Sequence, residues 1–160
     1  MEHWSSLIAP SDKAYDYLLD DGKGQVSVQV KLQRSKEFQP MTARQANRKF
    51  PEDMWVVETQ KTRGGKGADD SDTRPYRFGE FDILAVAMQP STGDWSKFMY
   101  CVSAWLRPDA KDRACINKFQ PVAMTPGDIW TDDFEECVRR LRTKEAKFNS
   151  VVCDPPGLFD

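Results

Sequence analysis

A chain of 160 residues, 39% hydrophobic and 30% charged with a net charge of −2, can hide about two-thirds of its unfolded surface in one core. It is too apolar for disorder and too nearly neutral to coat nucleic acid through bulk positive charge. Its single histidine, His3, lies in a segment expected to fray, which disfavours His triads, His-ligated zinc and His general bases and leaves catalysis to carboxylates, amides and lysines.

Residues Met1 to Pro10 lack the basic start and long apolar stretch of a secretory leader. No apolar run approaches the roughly 20 residues of a membrane span, so the expectation is a cytoplasmic protein with no membrane partner. The run A-Y-D-Y-L-L, Ala14 to Leu19, predicts a strand carrying one acid, Asp16. Turn residues from Asp20 to Gly24 and a second strand from Gln25 to Arg34 complete a hairpin. In that second strand Val26, Val28, Val30 and Leu32 point to a core, while Gln25, Ser27, Gln29, Lys31 and Gln33 form a polar face.

A short helix is predicted from Met41 to Phe50, capped by Thr42, and a third strand from Met54 to Thr59. Arg63 to Asp72 reads as a glycine-rich polar loop. Phe81 to Met88 is a near-continuous apolar run, expected as a central strand covered on both faces, with Asp82 anchoring its start. A turn at Pro90 to Asp94 leads to an antiparallel neighbour from Trp95 to Leu106. From Asp132, the spacing of Phe134, Cys137, Val138, Leu141 and Phe148 predicts an amphipathic helix with Asp132 and Glu135 as a cap pair. Cys101, Cys115, Cys137 and Cys153 are too widely spaced for a zinc or redox motif and are expected reduced and mostly buried. Together these elements predict a single α/β domain over residues 1–160, a mixed central sheet flanked by helices.

The hairpin sets Asp16 beside Gln29 and Lys31, an acid, an amide and an amine on one patch. This arrangement resembles the PD-(D/E)XK, restriction-endonuclease-like nucleases: A-Y-D-Y-L-L looks like the strand bearing their aspartate, and V-Q-V-K-L like their (D/E)-x-K strand. F-D-I-L-A-V-A-M followed by D-W-S-K-F-M-Y is similar to the strand pair that follows in many members, so the resemblance spans roughly residues 14 to 106. It implies a restriction-endonuclease-like fold and a Mg²⁺ ion, which Mn²⁺ could replace, held by Asp16, Gln29 and the Val30 carbonyl. Lys31 would orient or activate the attacking water. Gln29 stands where the family usually has Asp or Glu, and Glu58 in W-V-V-E-T-Q-K is a candidate substitute acid. The short segment before Asp16 leaves little room for the family's first core helix, where Glu2 is the one candidate for the acid many members carry.

Cations cluster after the hairpin: Lys31, Arg34, Lys36, Arg44, Arg48 and Lys49 stand against the single acid Glu37 between residues 31 and 50. Lys61, Arg63 and Lys66 add charge on a glycine-rich backbone that could approach a duplex, without the spacing of a nucleotide-binding P-loop. Arg34, Lys36, Lys61, Arg63 and Lys66 are the candidate DNA contacts. The implied activity is Mg²⁺-dependent DNA endonuclease chemistry of restriction, homing or repair type, with a homodimer or higher homo-oligomer where both strands are cut. A catalytically inactive nucleic-acid-binding module of the same fold explains Gln29 more simply, and an interaction subunit of a larger assembly explains the near-neutral charge.

Overall fold

A computed structural model of the chain describes residues 3–7, 13–62 and 73–143. In chain order its elements are β1 (Ser5–Leu7), β2 (Tyr17–Asp20), β3 (Gln25–Leu32), β4 (Ser35–Lys36), β5 (Gln39–Pro40), α1 (Ala43–Ala46), β6 (Met54–Glu58), β7 (Lys61–Thr62), β8 (Thr73–Arg74) and β9 (Ile83–Ala87). Then come α2 (Gln89–Thr92), β10 (Phe98–Val102), a 3₁₀ turn at Ser103–Trp105, β11 (Phe119–Ala123) and α3 (Phe134–Thr143). The chain is mixed α/β: β1-β2-β3-β9-β10 form a five-stranded sheet in which β3 and β9 run parallel and every other pair is antiparallel.

The hairpin forms where expected, with Asp20 opposite Gln25. Its turn needs positive φ at Gly22 (86°) and Gly24 (146°), which glycine adopts without a Cβ penalty. Arg142 of α3 clamps the turn, donating to both Asp21 carboxylate oxygens at 2.8 and 2.9 Å and to Gly24 O at 3.2 Å. This fork holds the Asp21 carboxyl well below the usual carboxylate range. β9 is buried throughout, as its apolar run predicts. Asp82 anchors its start, its carboxylate accepting Ser27 N–H at 2.9 Å and Ser27 Oγ–H at 3.1 Å.

The polar face predicted for β3 is largely covered, with Gln25 exposed and Lys31 half-buried. Ser27, Gln29 and Gln33 are all buried, because β3 lies between β2 and β9 with layers on both faces. Alternation puts Val26, Val28 and Val30 on the same face as Tyr100 of β10, which meets Phe134 of α3 edge-on. The opposite face lies under a second sheet, β6 with β11, tied to the first by the Gln33–Val57 bridge. A sheet thus covers a face where helices were expected. Val57 and Val122 from that layer join Leu84, Val86, Met99 and Cys101 in the main core. Cys101, Cys115 and Cys137 are free and buried, and burial raises their thiol pKa values; Cys153 lies outside the described residues.

Several boundaries move. Thr42 caps α1 with a full capping box, but the helix stops at Ala46 because Asn47 is extended and its side chain accepts Lys49 N–H at 3.0 Å. The turn near Pro90 is the short α2, ended by Gly93. α3 begins one residue later than read, with the Asp133 carboxylate accepting Glu135 N–H at 3.0 Å. Phe148 and Glu2 lie outside the described residues, and the first described element is a strand, β1. His3, expected to fray, lies 3.2 Å from the Glu135 carboxylate.

Between β4 and β5 the two-residue turn Glu37-Phe38 has φ of 52° and 66°, and Phe38 is 99% exposed. Neither residue suits the left-handed region, where Asn-Gly is preferred. Replacing the pair (Glu37→Asn with Phe38→Gly) is expected to raise stability by roughly 1 kcal/mol, read as a higher urea midpoint at unchanged m-value. An unchanged midpoint would mean that the turn carries no strain.

Candidate functional site

Asp16 sits one residue before β2, yet it continues the ladder with β3. Its N–H donates to Val28 O at 2.9 Å, and its Oδ2 accepts Val30 N–H at 2.9 Å. The carboxylate takes the place of the backbone partner that the end of β2 denies to β3. The same Oδ2 accepts Gln29 Nε2 at 3.1 Å, and Gln29 Nε2 also donates to Val30 O at 3.1 Å. Gln29 is buried, whereas Asp16 is exposed, so the cluster opens to solvent on the Asp16 side.

The amide therefore bridges a carboxylate and a carbonyl oxygen with its two N–H donors. Rotated end for end, it would present Oε1 beside Asp16 Oδ2 and Val30 O. Three oxygens, one of them anionic, are the donor type that Mg²⁺ selects, with water supplying the remaining ligands. Among the described residues no group of three or more His, Cys, Asp and Glu side chains gathers. A divalent cation would rely on this mixed set.

Lys31 lies two residues beyond Gln29 on the same face of β3. Its Nζ donates to Gln60 O at 3.0 Å and stands 5.5 Å from the centre of the Tyr76 ring. Burial lowers its pKa below the usual lysine value, and the charges of Asp16 and Glu58 offset part of that shift. Tyr76 is buried, and its hydroxyl is pushed up to about 12, first by burial and then by the charges of Asp16 and Glu80. It is a neutral floor under the ammonium. No local pattern in T-R-P-Y-R-F marks Tyr76 for this role; only the approach of a distant segment to β3 makes it part of the site.

The other candidates separate. Glu58 joins Arg34 and Lys118, its Oε2 accepting Arg34 Nη1 and its Oε1 lying 3.6 Å from Lys118 Nζ. Arg34 is thus engaged by a carboxylate within the chain, and Glu58 is turned to two cations. Lys36 is exposed on β4. Lys61 pairs through its backbone with Arg74, while Arg63 and Lys66 lie outside the described residues. No helix among the described residues is long and apolar enough to cross a membrane. Compared with family models, with curated proteins and with solved structures, the chain shows no significant match to any.

Proposed function

We propose that the chain is a Mg²⁺-dependent DNA endonuclease of the PD-(D/E)XK type. The observation that carries this reading is the convergence of Asp16 Oδ2, the Gln29 amide and Val30 O within 3.1 Å, with Lys31 beside them on β3. The strand order supports it too, since the acid-bearing hairpin is joined to the apolar strand β9. When bound, Mg²⁺ would polarise a phosphoryl oxygen and lower the pKa of a water. Asp16, Gln29 and the Val30 carbonyl would hold it, with Mn²⁺ a workable substitute.

The chain's own groups do the rest. Lys31, its pKa lowered by burial, is placed to orient the attacking water or to balance charge that builds on the phosphate. Gln60 O and the Tyr76 ring fix the ammonium, so that its position is set before substrate arrives. Asp16 is exposed, so the cluster can be reached from solvent.

A second reading, a nucleic-acid-binding module without catalysis, draws on the Gln29 amide, whose two donors already satisfy Asp16 and Val30 O. Plasmid incubated with purified protein in Mg²⁺ or in chelator separates the two, cleavage in Mg²⁺ alone being the expected result. Gln29→Glu sharpens the test, because it sets two carboxylates side by side. This variant should melt lower than wild type in chelator and recover on adding Mg²⁺, by about 2.7 kcal/mol at a hundredfold excess over Kd. If neither protein cleaves plasmid or binds Mg²⁺ by calorimetry, the catalytic reading fails.

A further inference from the structure

Beside the Asp16–Lys31 cluster the fold assembles a group that local sequence does not announce. Phe119 lies directly opposite Glu58 in the β6–β11 pair, and the Arg34 N–H bond to Val56 O, 2.9 Å, brings the tail of β3 alongside. The Arg34 guanidinium and the Lys118 ammonium stand 5.4 and 5.2 Å from the centre of the same Phe119 ring. Both contact the Glu58 carboxylate, one on each oxygen. The charge of Glu58 also reaches Lys31.

Two like charges held on one ring repel each other, and a single carboxylate neutralises only one of them. Arg34 and Lys118 bring two positive charges against the one negative charge of Glu58, so the group keeps an excess of one positive charge beside the Asp16 cluster, where Asp16 already faces Lys31. Arg34 and Lys118 remain 37% and 45% exposed in their side chains, open to a ligand from solvent. A planar fork next to a point charge, on an apolar platform, suits the oxygens of a phosphodiester.

We propose that Arg34 and Lys118, held over Phe119 by Glu58, form a subsite for a backbone phosphate of a nucleic acid, next to the phosphate presented to Asp16, Gln29 and Lys31. The subsite rests on the nucleic-acid reading of the main site, and its test needs no cleavage. Duplex DNA binding is followed by fluorescence anisotropy in chelator across a salt series, for wild type, Lys118→Ala and Glu58→Gln. Lys118→Ala should weaken binding and flatten the slope of log affinity against log salt by about 0.9. Glu58→Gln should tighten binding several-fold, because it removes the one negative charge from the group.

A cluster that merely ties β3 to β11 predicts otherwise, with both variants melting lower and neither slope changing; that result overturns the subsite. So does wild-type protein that binds no duplex. The two proposals fail separately. If wild type leaves plasmid intact in Mg²⁺ while Lys118→Ala still flattens the slope, the subsite stands and the nuclease reading falls. If wild type cleaves while Lys118→Ala keeps its full slope, the subsite falls alone.

Discussion

Asp16→Asn is expected to fold as wild type does, bind duplex DNA at least as tightly in chelator, and cleave on the order of 10³-fold more slowly in Mg²⁺. The asparagine oxygen can still accept Val30 N–H, now bonded at 2.9 Å, and Gln29 Nε2, now at 3.1 Å, so the ladder's end survives. What disappears is the one negative charge in the donor set, and with it most of the attraction for a hard cation. Loss of the same charge removes a repulsion from phosphate, which is why affinity without metal should not fall. Asp16→Ala goes further and unpairs both donors; because Asp16 is exposed, water replaces part of the loss, and the cost is about 1 kcal/mol, the low end for such groups. A set of melting curves, anisotropy titrations and plasmid assays on the two variants reads all three effects. Cleavage at the wild-type rate by either variant would remove Asp16 from the site.

Lys31→Met should lower cleavage by on the order of 10²- to 10⁴-fold, and its stability should respond to pH in a defined direction. The folded pKa of Lys31 lies below its ordinary value of 10.5, with burial as the leading cause. Between the folded value and 10.5 the unfolded chain binds more protons than the folded one, so stability from this group rises with pH across that window. Below the window the lysine is charged in both states and its burial cost is felt in full. Methionine has no such cost at any pH. Denaturant unfolding of both proteins from neutral pH toward pH 10.5 should therefore show wild type gaining on Lys31→Met as pH rises. Parallel curves would mean that Lys31 is solvated and merely passes over the Tyr76 ring.

Local rules made much of this fold readable. The alternation of Val26, Val28 and Val30, the turn glycines Gly22 and Gly24, the apolar run into β9 and the Thr42 cap each depend on neighbours a few residues away. That is the range over which period, φ preference and capping act. Leu32, expected in the same core row, is instead 48% exposed at the end of β3. The pairing of Asp16 with Gln29 follows from the same hairpin, since once the register is set the acid must meet the amide. β11 escaped because F-Q-P-V-A carries Pro121, which cannot donate to a ladder and is tolerated because, among the described residues, this strand pairs with β6 alone.

The amino-acid sequence by itself determined which residues alternate along β3, where the hairpin turns, and that an acid, an amide and a lysine share one patch. Tertiary structure alone decided what covers that patch. Whether Ser27, Gln29 and Gln33 meet water or protein depends on where the β6–β11 layer lands, and that layer is built from segments far apart in the chain. It buried Ser27, Gln29 and Gln33, drew Glu58 to Arg34 and Lys118, and set Tyr76 beneath Lys31. Burial lowers the pKa of Lys31 because charge is costly to desolvate. Desolvation is a property of the whole packed surrounding, which no window of local sequence contains.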